Sequence, residues 1–422
     1  MSVSMNFLLI HAMSKVPHYQ NKHMTMTQTG DAFAQLPLLS KKEVIQSPND
    51  FLANDYLLFP KKERMVIRRS AGASGKPLKV HWDAREEEAS LAAVSRLRQK
   101  WYGITPEDSF CYFFTTEYHQ NSLVYEVRST VRDEDGQCLG FAKRNLTAER
   151  LLDIHKEMFA FDPVWLILSP HIALLLAETI KNNDLPSLPR LQYVELTGES
   201  LCESARAALT EVFDCPIGNR YAATETGGIA LACPEGHFHI LEDNVLVEIF
   251  RKGGSSVPDG TEGDIVLTSY LNRAMPLLRY QIGDKGYITR ETCACGHTAP
   301  TLHLTAARSN DFITLPSGGR VVADVFLYAI EYINERIGPI IRQFTIRQTG
   351  ITPLSFNVRL VLHSLYKDWK DTIQELFVKN IYESALQDAV FSFAFDEKLF
   401  ADSPRQPLGY FRNEAKEDVT HG

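Results

Sequence analysis

The sequence predicts an α/β protein in which a large N-terminal domain of layered sheets and helices precedes a small C-terminal α+β domain. The chain has 422 residues, which is too long for one simple hydrophobic core. Short apolar runs alternate with helical periodicity as far as Asn244, as in parallel α/β layering. After Arg308 a separate pattern of roughly a hundred residues begins, which is a common domain size. We therefore expect domains at residues 1–307 and 308–422.

The regular structure of the first domain is predicted to include a short strand at Met65–Arg69 and a helix at Asp83–Trp101. Val94, Leu97 and Trp101 share one face of that helix because they lie three or four residues apart. The elements expected after it are the strands Ser109–Phe114, Val164–Leu168 and Leu191–Leu196, the helices Ile172–Ile180 and Cys202–Phe213, and the strands Val245–Phe250 and Asp264–Ser269.

The second domain is predicted to open with an amphipathic helix at Val325–Ile337. Its apolar stripe consists of Phe326, Ile330, Ile333 and Ile337. The elements expected after it are alternating strands at Phe344–Arg347 and Leu354–Leu360, a helix at Tyr366–Lys379 and a strand at Val390–Phe395.

Composition limits the classes of function. The formal net charge of −8 gives no basic field of the kind that binds nucleic acid, so we expect no nucleic-acid partner. The apolar run Phe7–Ile10 is too short for a signal peptide or a membrane span, so we expect a cytoplasmic protein with no membrane partner. Seven cysteines, an odd number, favour reduced thiols over a disulfide framework.

The stretch Tyr221–Gly228 has an unusual chemistry for an ordinary loop. Thr224 can donate to a phosphate oxygen, and Glu225 offers the hard oxygen ligand that magnesium prefers. Gly227 and Gly228 allow the backbone to approach a ligand closely or to take positive φ. The alternative is a polar turn before an apolar run.

A hydroxyl- and glycine-rich segment at 70–77 resembles a phosphate loop without the Walker spacing. Its small residues let successive backbone N–H groups face an anion, while serines add donors and a lysine adds charge. The residues concerned are Ser70, Gly72, Ser74, Gly75 and Lys76. A flexible surface turn is the alternative.

Three further positions suit a nucleotide. Gly198 and Glu199 follow a predicted strand and precede a predicted helix, where ligands of parallel sheets bind; a plain helix cap is the alternative. Asp284, after a glycine, could accept from two vicinal ribose hydroxyls, although a capped turn also fits. Arg308 could pair with a phosphate or carboxylate, or be a solvated surface arginine.

Cysteine and histidine spacing suggests a closed zinc site. Two thiols at Cys293 and Cys295 are too close for an ordinary bridge, and Cys233 and His239 provide a second pair. Three thiolates and one imidazole match a structural zinc shell. His237 and His297 are competing nitrogen ligands, and three unconnected cysteines are the alternative.

Together and in this order, these segments resemble the adenylate-forming acyl-CoA synthetase superfamily. Within it, the chain is most similar to the phenylacetate–CoA ligase-like proteins, including those called CapK-related. The resemblance implies that segment 70–77 is the phosphate loop, that Gly198–Glu199 contacts adenine and that Asp284 binds ribose. The resemblance also implies that Tyr221–Glu225 is the aromatic-Thr-Glu motif, with Ala222 in contact with the nucleotide. It further implies that Arg308 is the arginine before the hinge to the C-terminal domain.

The resemblance further implies a two-step reaction that needs ATP and magnesium. A small, preferably aromatic, carboxylic acid becomes an acyl-adenylate, and CoA, a carrier-protein thiol or an amine then displaces AMP. The catalytic residues implied are Lys76, Thr224, Glu225 and Arg308. The acid would lie beside Tyr118, His119, Ala223, Gly227 and Gly228. The oligomeric state is left open, and a homodimer is one alternative.

Two residues depart from the family pattern. Tyr410 stands where the family commonly has a C-terminal lysine that enters the site for adenylation, and tyrosine is uncharged at neutral pH. Asn310 stands where the hinge usually has a charged residue. A non-catalytic relative that binds nucleotide or acyl-adenylate is therefore the alternative function.

Overall fold

The computed structural model describes most of the chain around one large mixed sheet, one four-stranded sheet and two two-stranded ribbons. No helix in this described part combines the length and apolar character that a membrane crossing requires. The residues described are 3–20, 33–69, 78–114, 130–133, 135–142, 146, 148–198, 203–251, 254–306, 312–316, 320–323, 325–326, 329–330, 333–334, 340–362, 364–382, 386, 388–396 and 411–415.

The helices fall mainly in the first three hundred residues. The α-helices are α1 Val3–Lys15, α2 Pro17–Gln20, α3 Lys41–Gln46, α4 Ala84–Ala89, α5 Leu91–Tyr102, α6 Ala148–Phe161, α7 Pro170–Asn182, α8 Glu203–Phe213 and α9 Lys370–Tyr382. Short 3₁₀ turns lie at Pro48–Phe51, Asn54–Leu57, Lys61–Arg64 and Ser364–Trp369. The described residues 325–326, 329–330 and 333–334 are also helical.

The strands continue through both parts of the chain. They are β1 Leu39–Ser40, β2 Met65–Arg69, β3 Lys79–Asp83, β4 Phe110–Phe114, β5 Thr130–Arg132, β6 Cys138–Ala142, β7 Trp165–Leu168, β8 Tyr193–Thr197, β9 Ile217–Ala223, β10 Gly227–Ala232, β11 Phe238–Ile240, β12 Val245–Phe250, β13 Gly263–Ser269, β14 Tyr280–Thr289, β15 Thr301–Ala306, β16 Phe312–Thr314, β17 Arg320–Val322, β18 Ile341–Ile351, β19 Leu354–Leu362, β20 Val390–Asp396 and β21 Phe411–Asn413.

The large sheet has a parallel half and an antiparallel half. Strands run in the order β12-β13-β14-β15-β11-β10-β9-β8-β7-β4-β6-β5, with β1 paired to β14. From β9 to β6 the neighbours are parallel, and β10 to β12 continue antiparallel. The parallel half confirms the predicted α/β layering. Because β8 and β9 are parallel neighbours, the segments after Thr197 and Ala223 leave the same edge of the sheet.

The helix predicted at Asp83–Trp101 is two helices, and this part of the prediction was wrong. Asp83 caps α4, since its carboxylate accepts from the backbone N–H of Arg85. Ser90 separates α4 from α5, and its hydroxyl donates to the carbonyl of Glu87 at 2.6 Å. A serine hydroxyl that bonds back to the helix competes with the regular backbone ladder, which favours a break.

The C-terminal sheet has the order β20-β19-β18-β21, and α9 and the described helical residues 325–326, 329–330 and 333–334 pack against it. Phe326, Ile330 and Ile333 are buried there, as the predicted stripe requires. The strands predicted at Phe344–Arg347 and Leu354–Leu360 lie inside β18 and β19, so these predictions are confirmed.

Candidate active site and metal centre

The Thr-Glu motif lies in a tight turn between β9 and β10. These two antiparallel strands form a hairpin, and the backbone N–H of Thr226 bonds to the carbonyl of Ala223. Trp82 of β3 donates its indole N–H to the carbonyl of Thr224 at 3.0 Å. Glu225 is buried, at 5% exposure, although its side chain is a carboxyl group. A charged side chain so placed needs a partner.

Two tyrosines cross-link this hairpin to β14. The hydroxyl of Tyr280 donates to Glu225 Oε1 at 3.0 Å, and the hydroxyl of Tyr221 donates to Asp284 Oδ2 at 2.7 Å. The partners lie 55 and 63 residues apart in sequence. Strands β9 and β14 are not neighbours in the sheet, so these bonds bring the predicted magnesium ligand and the predicted ribose ligand together.

Gly198 lies beside this hairpin at the end of β8. Its φ is +89°, which an L side chain rarely adopts, so glycine suits the turn. The preceding Thr197 donates its hydroxyl to the carbonyl of Arg220 at 3.1 Å and so ties the two turns together. The turn predicted to contact adenine and the aromatic-Thr-Glu motif therefore share one sheet edge, at the position where parallel sheets bind ligands.

The predicted nucleotide contact Ala222 and the predicted substrate-binding residues Ala223, Gly227 and Gly228 belong to the same hairpin. Gly227 has φ +76°, and a Cβ there would meet Ser90 Oγ at 3.1 Å. A Cβ on Gly228 would meet Leu241 at 3.0 Å. A side chain at either position would therefore crowd its neighbour, which is reason enough for a glycine there. The role of the two glycines toward a substrate stays a prediction.

Several predicted site residues lie outside the described part of the chain. They are Ser70, Gly72, Ser74, Gly75, Lys76, Tyr118, His119, Glu199, Arg308 and Tyr410. The strands that flank segment 70–77 are described, and they pair with each other from Arg69 and Lys79 onward.

The predicted metal ligands Cys233, His239, Cys293 and Cys295 come together, with their ligand atoms within 4.8 Å of one another. The Sγ atoms of Cys233 and Cys293 are 3.8 Å apart, and Cys295 Sγ lies 3.2 Å from His239 Nε2. Zn–S bonds of about 2.3 Å at tetrahedral angles separate two sulfurs by about 3.8 Å. The donor set therefore fits zinc, and the alternative of three unconnected cysteines is wrong.

The surrounding groups orient these ligands. His239 Nδ1 contacts the carbonyl of Ala299 at 2.9 Å, which directs Nε2 toward the cluster. His237 Nδ1 lies 3.3 Å from Cys293 Sγ, so it contacts a sulfur of the predicted metal shell. Burial raises the pKa of Cys233 to about 12. Burial also acts to raise the pKa of Cys293. Hydrogen bonds from the Cys295 backbone and from His237 outweigh this effect of burial and lower the pKa of Cys293 to about 6.

A buried ion network beneath the hairpin was not predicted from the sequence. Glu195 of β8 is fully buried and accepts from Arg98 Nε at 2.9 Å and Nη2 at 3.0 Å. Arg220, which precedes Tyr221, lies with its Nε 3.2 Å from the same carboxylate. Burial alone would raise the pKa of Glu195, but Arg220 and Arg98 lower it. Glu195, a charged residue inside the predicted apolar strand Leu191–Leu196, was the available signal.

The chain is similar in part of its length to two curated proteins. It is 31% identical to the phenylacetate-coenzyme A ligase of Thermus thermophilus over 161 residues, which are 37% of this chain and 36% of that protein. It is 30% identical to the protein CapK of Staphylococcus aureus over 141 residues, 33% of this chain and 30% of that protein. The alignments thus span about a third of the length of each curated relative. No protein-family model matches the chain.

Solved structures match over nearly the whole chain. A 2-hydroxyisobutyryl-CoA ligase in its postadenylation state, in complex with an acyl-AMP, is 15% identical, with a TM-score of 0.59 over 99% of this chain and 89% of that chain. The same ligase with an acyl-AMP and CoA in its thioesterification state is 15% identical, with a TM-score of 0.62 over 97% and 88%. These matches confirm the predicted fold.

Proposed function

We propose that this chain, which has the fold of the adenylate-forming superfamily and resembles its phenylacetate–CoA ligase-like branch, is an ATP- and magnesium-dependent ligase. It would activate a small carboxylic acid as an acyl-adenylate. It would then transfer the acyl group to CoA, a carrier-protein thiol or an amine. The carrying observation is the pair of bonds Tyr280–Glu225 and Tyr221–Asp284, which unites two motifs from distant parts of the sequence.

The residues suit attack at phosphorus. A carboxylate oxygen bonds to the α-phosphorus of ATP while the bond to the β-phosphate bridge breaks and pyrophosphate leaves. Catalysis of this step is mostly positioning and charge neutralisation. Glu225 would supply an oxygen ligand to magnesium, Thr224 a donor to phosphate and Asp284 an acceptor for ribose hydroxyls. Lys76 and Arg308 are the predicted cations.

The second step needs a nucleophile at the acyl carbon. A thiol sulfur or an amine nitrogen bonds to that carbon, the bond to the AMP oxygen breaks, and the nucleophile's proton passes to solvent. Structural neighbours with CoA or acyl-AMP in their sites support this sequence of steps. Thiols, including that of CoA, and amines are therefore the acceptors to test.

An aryl acid is the first substrate class to test. The name of the Thermus relative supports it. Phe113 packs against Phe141 at a ring distance of 5.6 Å, so this aromatic residue belongs to the core. The neighbour that acts on 2-hydroxyisobutyrate makes short aliphatic acids the second class.

Acid-dependent pyrophosphate release tests the proposal. We expect release with at least one aryl or aliphatic acid, and we expect Glu225→Ala to lose most of it at limiting magnesium. Glu262→Ala, at an exposed position, is the matched control and should keep the wild-type rate. Release from no acid in folded protein, or an unchanged rate in Glu225→Ala, would count against the ligase.

A non-catalytic nucleotide-binding relative is the second candidate function. The observation that favours it is Tyr410 at the position of the usual lysine. Such a protein binds ATP without turnover, and Tyr410→Lys should then restore acid-dependent pyrophosphate release. If wild-type protein already turns over, and Tyr410→Lys changes the rate little, this candidate is excluded.

We further propose that Cys233, His239, Cys293 and Cys295 hold one structural zinc ion. The sulfur and nitrogen distances support a tetrahedral shell, and zinc would contribute folding free energy. Four protein ligands fill such a shell, so no coordination position is left for a substrate. We therefore assign no catalytic step to this centre.

A further inference from the structure

Strand β3 follows the predicted phosphate loop in the chain and contacts the Thr-Glu turn in space. Segment 70–77 joins β2 to β3, and the two strands pair from Arg69 and Lys79 to Met65 and Asp83. Trp82 lies near the end of β3 and is 2% exposed. The strand that follows segment 70–77 in the chain therefore carries Trp82.

Trp82 contacts the Thr-Glu turn at two points. Its indole N–H donates to the carbonyl of Thr224 at 3.0 Å. The ring also lies 3.8 Å from the position that a Cβ on Gly227 would take, so the indole lies against the turn on both sides of Glu225. The turn is thus bonded to two other strands: Glu225 to Tyr280 of β14, and Thr224 to Trp82 of β3.

The base of the β2–β3 ribbon is itself held firmly. Arg64 donates to both carboxylate oxygens of Asp83, from Nε to Oδ1 at 3.2 Å and to Oδ2 at 2.9 Å, and from Nη2 to Oδ2 at 2.7 Å. Asp83 also accepts from the backbone N–H of Arg85 at 3.0 Å, which fixes the start of α4. Planar two-point pairing of this kind fixes geometry as well as charge. Trp82 therefore directly precedes a residue that is held by a charged pair and by a helix cap.

We propose that Trp82 is a positioning residue for the phosphate end of the nucleotide site. Its N–H fixes the carbonyl of Thr224, and so the direction of the Thr224 and Glu225 side chains, relative to the strand that leaves segment 70–77. This inference rests on the proposed ligase function. It assigns Trp82 no contact with the reacting atoms; the residue acts through Thr224.

Binding of MgATP and of adenosine, each without acid, tests this role. Trp82→Phe removes the N–H and keeps an aromatic ring. We expect it to weaken MgATP binding about fivefold, the loss expected for one neutral hydrogen bond, and to leave adenosine binding within about twofold. Trp165→Phe is the matched control, because Trp165 is also buried and donates its N–H to the carbonyl of Asp108 at 3.3 Å. It should change neither affinity.

A second variant separates the hydrogen bond from ring packing. A benzothiophene analogue of tryptophan at position 82 keeps the bicyclic shape and replaces N–H with sulfur, so it serves also if Trp82→Phe does not fold. The same selective loss of MgATP affinity is expected. Wild-type affinity for MgATP in both folded variants, or an equal loss for MgATP and adenosine, would overturn the assignment alone. Failure of wild-type protein to bind either nucleotide would overturn the proposed function as well.

Discussion

At the scale of single residues, two tyrosine hydroxyls determine where two carboxylates point. Tyr280 and Tyr221 each donate to an acid on the other segment, Glu225 and Asp284. Hydrogen bonds to charged groups contribute about 1.5–3 kcal/mol, more than neutral ones, so each tyrosine has a measurable effect on its partner. Removing one hydroxyl leaves the ring in the core and changes only the direction and solvation of the acid.

Tyr280→Phe should therefore raise the magnesium concentration needed for half-maximal turnover, by about tenfold, with a small change at saturating magnesium. The reason is that Glu225 loses the donor that fixes its orientation. The measurement is pyrophosphate release across a magnesium titration. Tyr287→Phe is the control, since Tyr287 lies on the same strand but stacks on His303 at 4.5 Å. An unchanged magnesium dependence in Tyr280→Phe would remove this role.

The Glu195 network gives a second residue-scale prediction, this time for stability. Glu195→Gln removes a buried charge that serves two arginines, and breaking such a pair costs about 3–5 kcal/mol of unfolding free energy. Asp243→Asn is the control, because its ion pair with Arg96 is exposed and contributes little. Denaturant unfolding at pH 7 measures both. A loss no larger in Glu195→Gln than in Asp243→Asn would contradict the prediction.

The same network fixes the direction of a pH effect. The pKa of Glu195 is lowered in the folded chain, so its stabilisation is fully present above the unfolded value of 4.5. It is lost as pH falls through the lower, folded value. Wild-type protein should therefore lose part of its unfolding free energy below about pH 4.5, and Glu195→Gln should lose less. If the unfolding free energy of the two proteins falls equally at acid pH, Glu195 does not contribute to the pH dependence of stability.

At the scale of elements, the metal centre joins two strand connections. Cys233 and His239 flank the turn from β10 to β11, while Cys293 and Cys295 lie between β14 and β15. Strands β11 and β15 also pair with each other. Strand β10 begins after the Glu225 turn and β14 carries Asp284, so one ion would hold together the two strand pairs that carry the candidate site.

Removal of the metal should loosen this half of the sheet. We expect about one zinc per chain by elemental analysis, and Cys295→Ser or a strong chelator should lower the thermal midpoint, since structural zinc binds with on the order of 10 kcal/mol. Trp101 lies 5.5 Å from His239 and should report the loss by fluorescence. Cys215→Ser, at a buried thiol outside the cluster, is the control for metal content. Folded protein without zinc would contradict this prediction.

Elements of the parallel half could be predicted because continuous apolar runs such as Val164–Leu168 are typical of strands buried on both faces. The hairpin β9–β10 and the strand β14 were not predicted. Their residues alternate with glycine and charge, as in Gly283–Lys285, so neither period is clear. The helix break at Ser90 depends on one side-chain hydrogen bond, and the spacing of apolar residues does not reveal such a break.

The candidate site divides in the same way. The clustering of Cys233, His239, Cys293 and Cys295 could be predicted because cysteine and histidine combine in few roles. Glu225 and Asp284 were selected as acidic residues close to glycines, and their roles toward magnesium and ribose stay predictions. Trp82 and Tyr280 could not, because an aromatic residue next to a motif is more often core. Their roles depend on contacts across 142 and 55 residues, which only the folded sheet brings together.

At the scale of the whole molecule, the described core residues form separate groups on either side of the predicted boundary. One cluster of buried apolar side chains uses only residues from Ile313 to Phe411. Every other cluster uses residues from Met5 to Leu304. Since each part has its own core, each can in principle unfold on its own, as domains do.

Calorimetry should therefore resolve two unfolding transitions, and a nucleotide should move only one of them. Adenosine or AMP at a hundred times its dissociation constant adds about 2.7 kcal/mol to the part that binds it, which raises that midpoint by a few degrees. We expect the larger, N-terminal transition to shift, because Gly198, Tyr221 and Asp284 all lie there. The transition of residues 308–422 should stay in place, and the zinc chelator should lower only the first. A single transition that moves as a whole would contradict the two-domain prediction, whereas a shift confined to the smaller transition would contradict the assigned nucleotide site.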